Sequence, residues 1–170
     1  MSVVSPLRFA HPLADRRQSD RAMLVRRGVQ RLCVDLGAAA LPEVMLRGGR
    51  RADLLILTAK QEFWIVEIKT SVEDLRSDHK WPDYRAHCDR LFFATHPAVP
   101  ADIFPEDAGF ILSDGHGAEV LRDAPCHKLA SATRKSLLQR FARLAANRLM
   151  MAEMAGIDVP GLGLDELDGQ

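Results

Sequence analysis

Residues Arg50–Lys69 read RRADLLILTAKQEFWIVEIK. The runs LLIL and FWIV are apolar, partly β-branched and aromatic, and the TAKQ between them is polar, so the stretch is expected to form two strands joined by a tight turn. Three charged residues flank these runs: Asp53 before the first, Glu67 and Lys69 after the second. Side chains alternate along a strand, so Glu67 and Lys69 share one face while Val66 and Ile68 take the other. A turn about Lys60 sets Asp53 directly opposite Glu67, and directly opposed residues share a face with Cβ atoms about 4.5–5.5 Å apart. Upstream, PEVMLR followed by Gly48-Gly49 supplies another strand, and a turn about Gly48 sets Glu43 opposite Asp53. A slip of one residue in either turn would reverse the faces. In the expected register Glu43, Asp53, Glu67 and Lys69 cluster across three adjacent strands, and carboxylates this close repel unless a cation or the lysine neutralises them.

The flanks continue an alternating pattern. Ser19 or Asp20 is placed to cap a helix whose apolar residues, among them Met23, Val29, Leu32 and Leu36, lie mostly on one side, with Gly37 to stop it. Arg21, Arg26, Arg27 and Arg31 cover much of its remaining surface. After Lys69 the polar TSVEDLRSDHKWPDYRAHCD is expected to hold a short helix beginning near Pro82, because proline suits a first turn. RLFFAT reads as a strand, AGFILS and AEVLR as a pair around DGHG, and Ser131 to Met154 as a long helix closed by Gly156. Helix, three strands, helix, strand, hairpin and helix together predict an α/β (α+β) fold with a central mixed sheet flanked by helices.

A chain of 170 residues with 47% hydrophobic content is large enough for one substantial core, so residues 1–155 are expected to form a single domain, followed by an acidic tail at 156–170. The formal net charge is zero and gives no global argument for a nucleic-acid partner. Its distribution is uneven. Residues 1–51 carry ten Arg against four acids, whereas residues 151–170 carry five acids and no Lys or Arg. Cys33, Cys88 and Cys126 are odd in number and scattered, which suits a reducing cytoplasm better than a disulfide framework. The adjacent His87-Cys88 and Cys126-His127 pairs lack zinc-ligand spacing. Without a continuous apolar segment of signal-peptide or membrane-span length, a cytoplasmic protein with no membrane partner is expected.

ExK alone is a loose motif that usually marks a surface ion pair. Here the acids converge from separate, strongly apolar strands beside a basic helix. The order helix, strand, Asp53, thirteen intervening residues and then Glu67-Ile68-Lys69 resembles the PD-(D/E)xK nuclease superfamily, with Ala52 in place of the proline. More specifically, GRRADLLIL, FWIVEIKTSVEDLRSDHKWPDYRAHCDRLFFAT and GFILSDGHGAEVLRDAP, followed by the basic helix, resemble the MmcB-like bacterial DNA repair proteins from about Arg16 to Met150. The resemblance implies a restriction-endonuclease-like three-layer core and a nuclease acting on DNA in repair or damage tolerance. Other repair or mutagenesis proteins would be its partners, with nucleoid association when it acts. It also implies Mg²⁺ or Mn²⁺ held by Asp53, Glu67 and the Ile68 carbonyl, with Glu43 as a further ligand candidate and one or two metals open. Lys69 would position the attacking water or offset charge on the phosphate.

Arg50, Arg51, Lys80, Trp81 and Tyr84 are the candidate nucleic-acid contacts. Lys80 and Tyr84 stand four apart, similar to the Gln-x-x-x-Tyr element of RecB-like nucleases, and would touch a phosphate or orient Glu67 if a helix began early enough to align them. Trp81 is either a stacking residue or a packing anchor. The glycines of DGHG fit a hairpin turn better than a phosphate loop. In the last helix Leu137, Leu138, Phe141, Leu144 and Leu149 form a packing stripe, and Arg134, Lys135, Arg140, Arg143 and Arg148 face either solvent or a DNA backbone. Two rival functions remain: a nuclease-fold module that binds DNA or recruits repair partners without cleaving, and a metal-dependent hydrolase of RNA.

Overall fold

The computed structural model describes residues 20–157. Ser19 and the acidic stretch at 158–170 lie outside them. The elements in chain order are helix α1 (Asp20–Asp35), strands β1 (Ala39–Met45), β2 (Arg51–Leu57) and β3 (Phe63–Ile68), the short helix α2 (Val72–Ser77), a 3-10 helix (Trp81–His87), β4 (Arg90–Thr95), a second 3-10 turn (Ala101–Ile103), the hairpin β5 (Gly109–Ser113) and β6 (Ala118–Arg122), and helix α3 (Ser131–Met154). The six strands form one mixed sheet in the order β1-β2-β3-β4-β5-β6. Pairing is antiparallel at both ends and parallel where β3 meets β4 and β4 meets β5. This is the expected α/β architecture. Pro82 begins only a 3-10 helix, and the regular turn of α2 comes earlier, capped by the Ser71 hydroxyl accepting from the Asp74 amide.

The turn-based register is the observed one. Leu54 pairs with Val66 and Leu57 with Phe63, as a centre at Lys60 requires; Val44 pairs with Ala52 and Leu41 with Leu55, as a centre at Gly48 requires. Glu43 departs from simple alternation, with φ at +53°. Leu41 and Val44 consequently enter the same core cluster, as do Ala52 and Leu55 across from them. Residues an odd number apart share a face only if the strand changes face between them. The change falls at Glu43 and Asp53.

Helix α1 covers one face, packing Val25, Val29 and Cys33 on Leu54, Ile56, Val66 and Phe92. Arg26 is buried beside them, not on the solvent surface as its place in the sequence suggested. Gly28 explains how α1 approaches so closely. A Cβ at that position would stand 2.0 Å from the Ser113 Oγ and 2.4 Å from the Gly117 carbonyl oxygen. Gly28→Ala is therefore expected to cost about 2–3 kcal/mol despite alanine's higher helix propensity. A urea midpoint equal to or above wild type would rule this packing out.

The opposite face receives Leu137 and Phe141 of α3 against Leu55, Phe63, Ile65 and Leu91. Arginines of α3 also reach the outermost strand: Arg140 donates to the Met45 carbonyl, and Arg148 to those of Pro42 at 2.5 Å and Glu43 at 3.2 Å. At the start of β4, the buried carboxylate of Asp89 accepts from the Phe63 amide at 2.7 Å, the Leu129 amide at 2.9 Å and two nitrogens of Arg134 at 2.5 and 3.0 Å.

Candidate active site

The β2–β3 ladder ends at Leu54 and Val66. One residue further, side chains take over from the backbone. The Ile68 amide donates to Asp53 Oδ2 at 2.8 Å, and the Asp53 amide donates to Glu67 Oε1 at 3.2 Å. The two strands fork there, and each strand's carboxylate accepts a main-chain donor of the other. Each group therefore fixes the other's backbone, and the two carboxylates are brought together as the register predicted. Beyond Glu67, β3 is anchored by the Lys69 amide on the Ala94 carbonyl at 3.0 Å and the Thr95 hydroxyl on the Lys69 carbonyl at 2.6 Å.

The electrostatics of the pair are unfavourable as they stand. Burial pushes the Asp53 carboxyl up to about 6, with the Ile68 amide working against the rise and the Glu43 charge adding to it. Glu67, only 4% exposed, lies well above its ordinary value, first through burial and then through Asp53. Lys69 does not relieve them at bonding distance. Its Nζ is 2.6 Å from Asp78 Oδ2 and 3.9 Å from Asp74 Oδ1. Burial acts against this ammonium, but the Asp78 bond outweighs it and raises its pKa, so Lys69 stays charged. The Lys80 amide in turn donates to Asp78 Oδ1 at 3.1 Å.

The remaining sequence candidates are placed as follows. Glu43 lies opposite Asp53 in the ladder, yet its carboxylate is 2.6 Å from Arg51 and 3.8 Å from the buried Arg26. Arg50 is 2.7 Å from Asp83. Lys80 is exposed at the N-cap of the 3-10 helix while Tyr84 is buried, so the two do not share a face. The Tyr84 hydroxyl donates to the Arg51 carbonyl at 3.0 Å, and burial, Glu67 and Asp53 all raise its pKa. Tyr84 thus packs behind the carboxylates. Trp81 meets Phe93 edge-on at 5.4 Å and carries the Arg85 guanidinium over its ring at 5.1 Å, a packing role. Sequence reasoning missed Asp78 as the partner of Lys69 and Arg26 as a buried counter-charge. Asp78 sits in a polar run with no pattern to single it out, and only the missing neutraliser beside a carboxylate pair hinted at Arg26.

Among the described residues no three His, Cys, Asp or Glu side chains form a metal-binding group. Two carboxylates remain, with the Ile68 carbonyl one bond further along. That donor set fits a hard divalent cation such as Mg²⁺, which keeps several waters and uses one or two carboxylates together with substrate phosphates. The burial of both acids, only partly offset by the two main-chain donors and nearby cations, makes a cation chemically compatible with this donor set.

A mixed sheet between helical layers, with a carboxylate pair and a lysine at the fork of two strands, defines an α/β protein with a buried acidic site. The chain's family follows from its sequence as a whole. The description "DNA repair protein MmcB-like" matches residues 9–156, and the chain belongs to the MmcB-like DNA repair family. Among solved structures, a protein of unknown function from Silicibacter pomeroyi is similar at 36% identity with a TM-score of 0.77, over 85% of this chain and 99% of that one. No curated protein matches the chain. Among the described residues no helix is long and apolar enough to cross a membrane.

Proposed function

We propose that this DNA repair family member is a divalent-metal-dependent phosphodiesterase of the PD-(D/E)xK type, hydrolysing DNA. The observation that carries the reading is the reciprocal tie at the fork, Asp53 to the Ile68 amide and Glu67 to the Asp53 amide, with Lys69 just past the end of β3. Asp53, Glu67 and the Ile68 carbonyl would hold Mg²⁺ or Mn²⁺. When bound, such an ion supplies a Lewis acid for a phosphate oxygen and lowers the pKa of a coordinated water. The chain's own residues do the rest. The fork holds both carboxylate positions before substrate arrives, so little reorganisation is needed. Lys69, kept protonated by Asp78, offers a fixed positive charge for the oxygens of the scissile phosphate. Tyr84, packed beside the acids, limits their freedom.

Cleavage of labelled single-stranded, duplex, forked and abasic DNA and of RNA, with Mg²⁺ or Mn²⁺, tests this directly. The wild-type protein is expected to cleave DNA, and Asp53→Ala and Lys69→Ala each to lose at least about 100-fold, the usual effect of removing one charge-stabilising group. Activity surviving either substitution would refute the site. Binding without cleavage on every substrate would favour the non-cleaving module, and preference for RNA the third reading.

A further inference from the structure

Three clefts run continuously from the β1–β2 hairpin to α3. The first, about 400 Å³, is lined by Arg47, Gly48, Gly49, Arg50, Lys80, Asp83 and His87. A small second one shares Arg47 and His87 with it and continues to Ser136 and Arg140. The third, about 500 Å³, shares Ser136 and Arg140 and extends past Arg143 to Asn147 between α3 and β1. The acids on this path are already neutralised: Asp83 by Arg50, and Glu43 by Arg51 and Arg26. Arg47, Lys80 and Arg143 are exposed and have no salt-bridge partner among the described residues. Arg140 gives one nitrogen to the Met45 carbonyl and lines two of the clefts. Burial lowers the His87 pKa and the Arg140 charge lowers it further, with Asp83 acting against them.

Each end of the path carries a residue close to the carboxylate site, though Asp53, Glu67 and Lys69 do not themselves line it. Glu43, opposite Asp53, lines its α3 end, and Lys80, two residues from Asp78, lines its hairpin end. From Ser136 to Asn147 alone, α3 extends about 16 Å, close to the rise of five base pairs.

We infer that this belt is a duplex-DNA backbone track, with Arg47, Lys80, Arg140 and Arg143 contacting phosphates on either side of the scissile position. The inference rests on the DNA reading above and adds which nucleic-acid form is bound, and by which residues. Duplex is favoured because single-strand sites rely on aromatic faces for stacking. No aromatic residue belongs to the exposed large hydrophobics among the described residues; Trp81 and Tyr84 beside Lys80, and Phe141 between Arg140 and Arg143, are all occupied in packing. What remains for a ligand is charge without bases to stack.

The test is fluorescence anisotropy of a 20-base-pair duplex (~20, several times the 3.4 Å rise per pair) and of one of its strands, titrated with the full chain in EDTA over a salt series. Wild type is expected to bind the duplex more tightly than the strand. The Arg47→Ala/Lys80→Ala/Arg143→Ala protein is expected to lower the slope of log affinity against log salt by between two and three, each lost phosphate contact being worth about 0.9. Arg21→Ala/Arg27→Ala, on exposed positions of α1 across the sheet, is expected to leave the slope unchanged. An unaltered slope in the triple variant, an equal loss in the α1 variant, tighter binding of the single strand, or no binding at all would each overturn the track. The catalytic reading is judged separately. It stands if Asp53→Ala fails to cleave with metal, and cleavage that persists in the triple variant leaves the active site standing.

Discussion

In metal-free buffer, the Asp53→Asn protein should be more stable than wild type at pH 8 and no more stable at pH 4. The Asp53 carboxyl titrates at about 6 in the folded chain, above its ordinary value, so between pH 4 and 6 the native state holds a proton that the unfolded state releases. Wild-type stability therefore falls as pH rises through that window. A rise of this size corresponds to about 3 kcal/mol. Asparagine keeps an acceptor for the Ile68 amide and removes the charge, and it also relieves Glu67, whose pKa Asp53 helps to raise. For a chain of this size, about 3 kcal/mol is roughly 6–12 °C in Tm. Added Mg²⁺ should raise the wild-type Tm at pH 8 and leave the variant's almost unchanged, because only a state that binds the ion is stabilised by it. Thermal melts at the two pH values, with EDTA and with Mg²⁺, decide the matter. Equal stabilities at pH 8, or the same response to Mg²⁺ in both proteins, would remove the argument for a cation at the fork.

Asp89→Ala is expected to be the most damaging single substitution outside the site. It strands the buried amides of Phe63 and Leu129 and leaves Arg134 without its carboxylate. Each buried donor left unsatisfied costs about 1–3 kcal/mol. Arg134→Ala should cost less, because the guanidinium is 27% exposed while Asp89 is 1% exposed and keeps its two amide donors. The pH dependence runs opposite to that of Asp53. Burial tends to raise the Asp89 carboxyl, but Arg134 and the two amides hold it below its ordinary value. Its contribution is complete above the ordinary aspartate range and is lost as pH falls through the depressed value. Urea unfolding at pH 7 measures the cost, and a loss under about 1 kcal/mol would contradict the hub.

The two turns made much of the site legible in the sequence. Once Lys60 and Gly48 centre their hairpins, the opposition of Asp53 to Glu67 and of Glu43 to Asp53 is arithmetic, and the observed pairs obey it. What arithmetic could not supply is the change of face at Glu43. A positive φ at a non-glycine residue leaves no mark in composition, and it turns Glu43 toward Arg51 and Arg26. Asp78, Asp89 and Arg26 were hidden for a related reason. Each is a charge held by a partner distant in sequence or on another element, so no local spacing announces it. Trp81 was ambiguous because an aromatic residue serves stacking or packing, and only the positions of Phe93 and Arg85 decide; Tyr84 was ambiguous because its alignment with Lys80 depends on where the helix begins.

The arginines that α3 sends to β1 have a bearing on how copies of this protein behave toward one another. The first strand of a sheet carries a row of main-chain groups on which a foreign strand can add itself. Here the carbonyls of Pro42, Glu43 and Met45 already accept from Arg148 and Arg140, and Pro42 has no amide to offer. A helix that packs on one face of the sheet therefore also occupies part of its margin. That protects a concentrated, partly unfolding population from end-to-end strand exchange, without any residue devoted to that task alone.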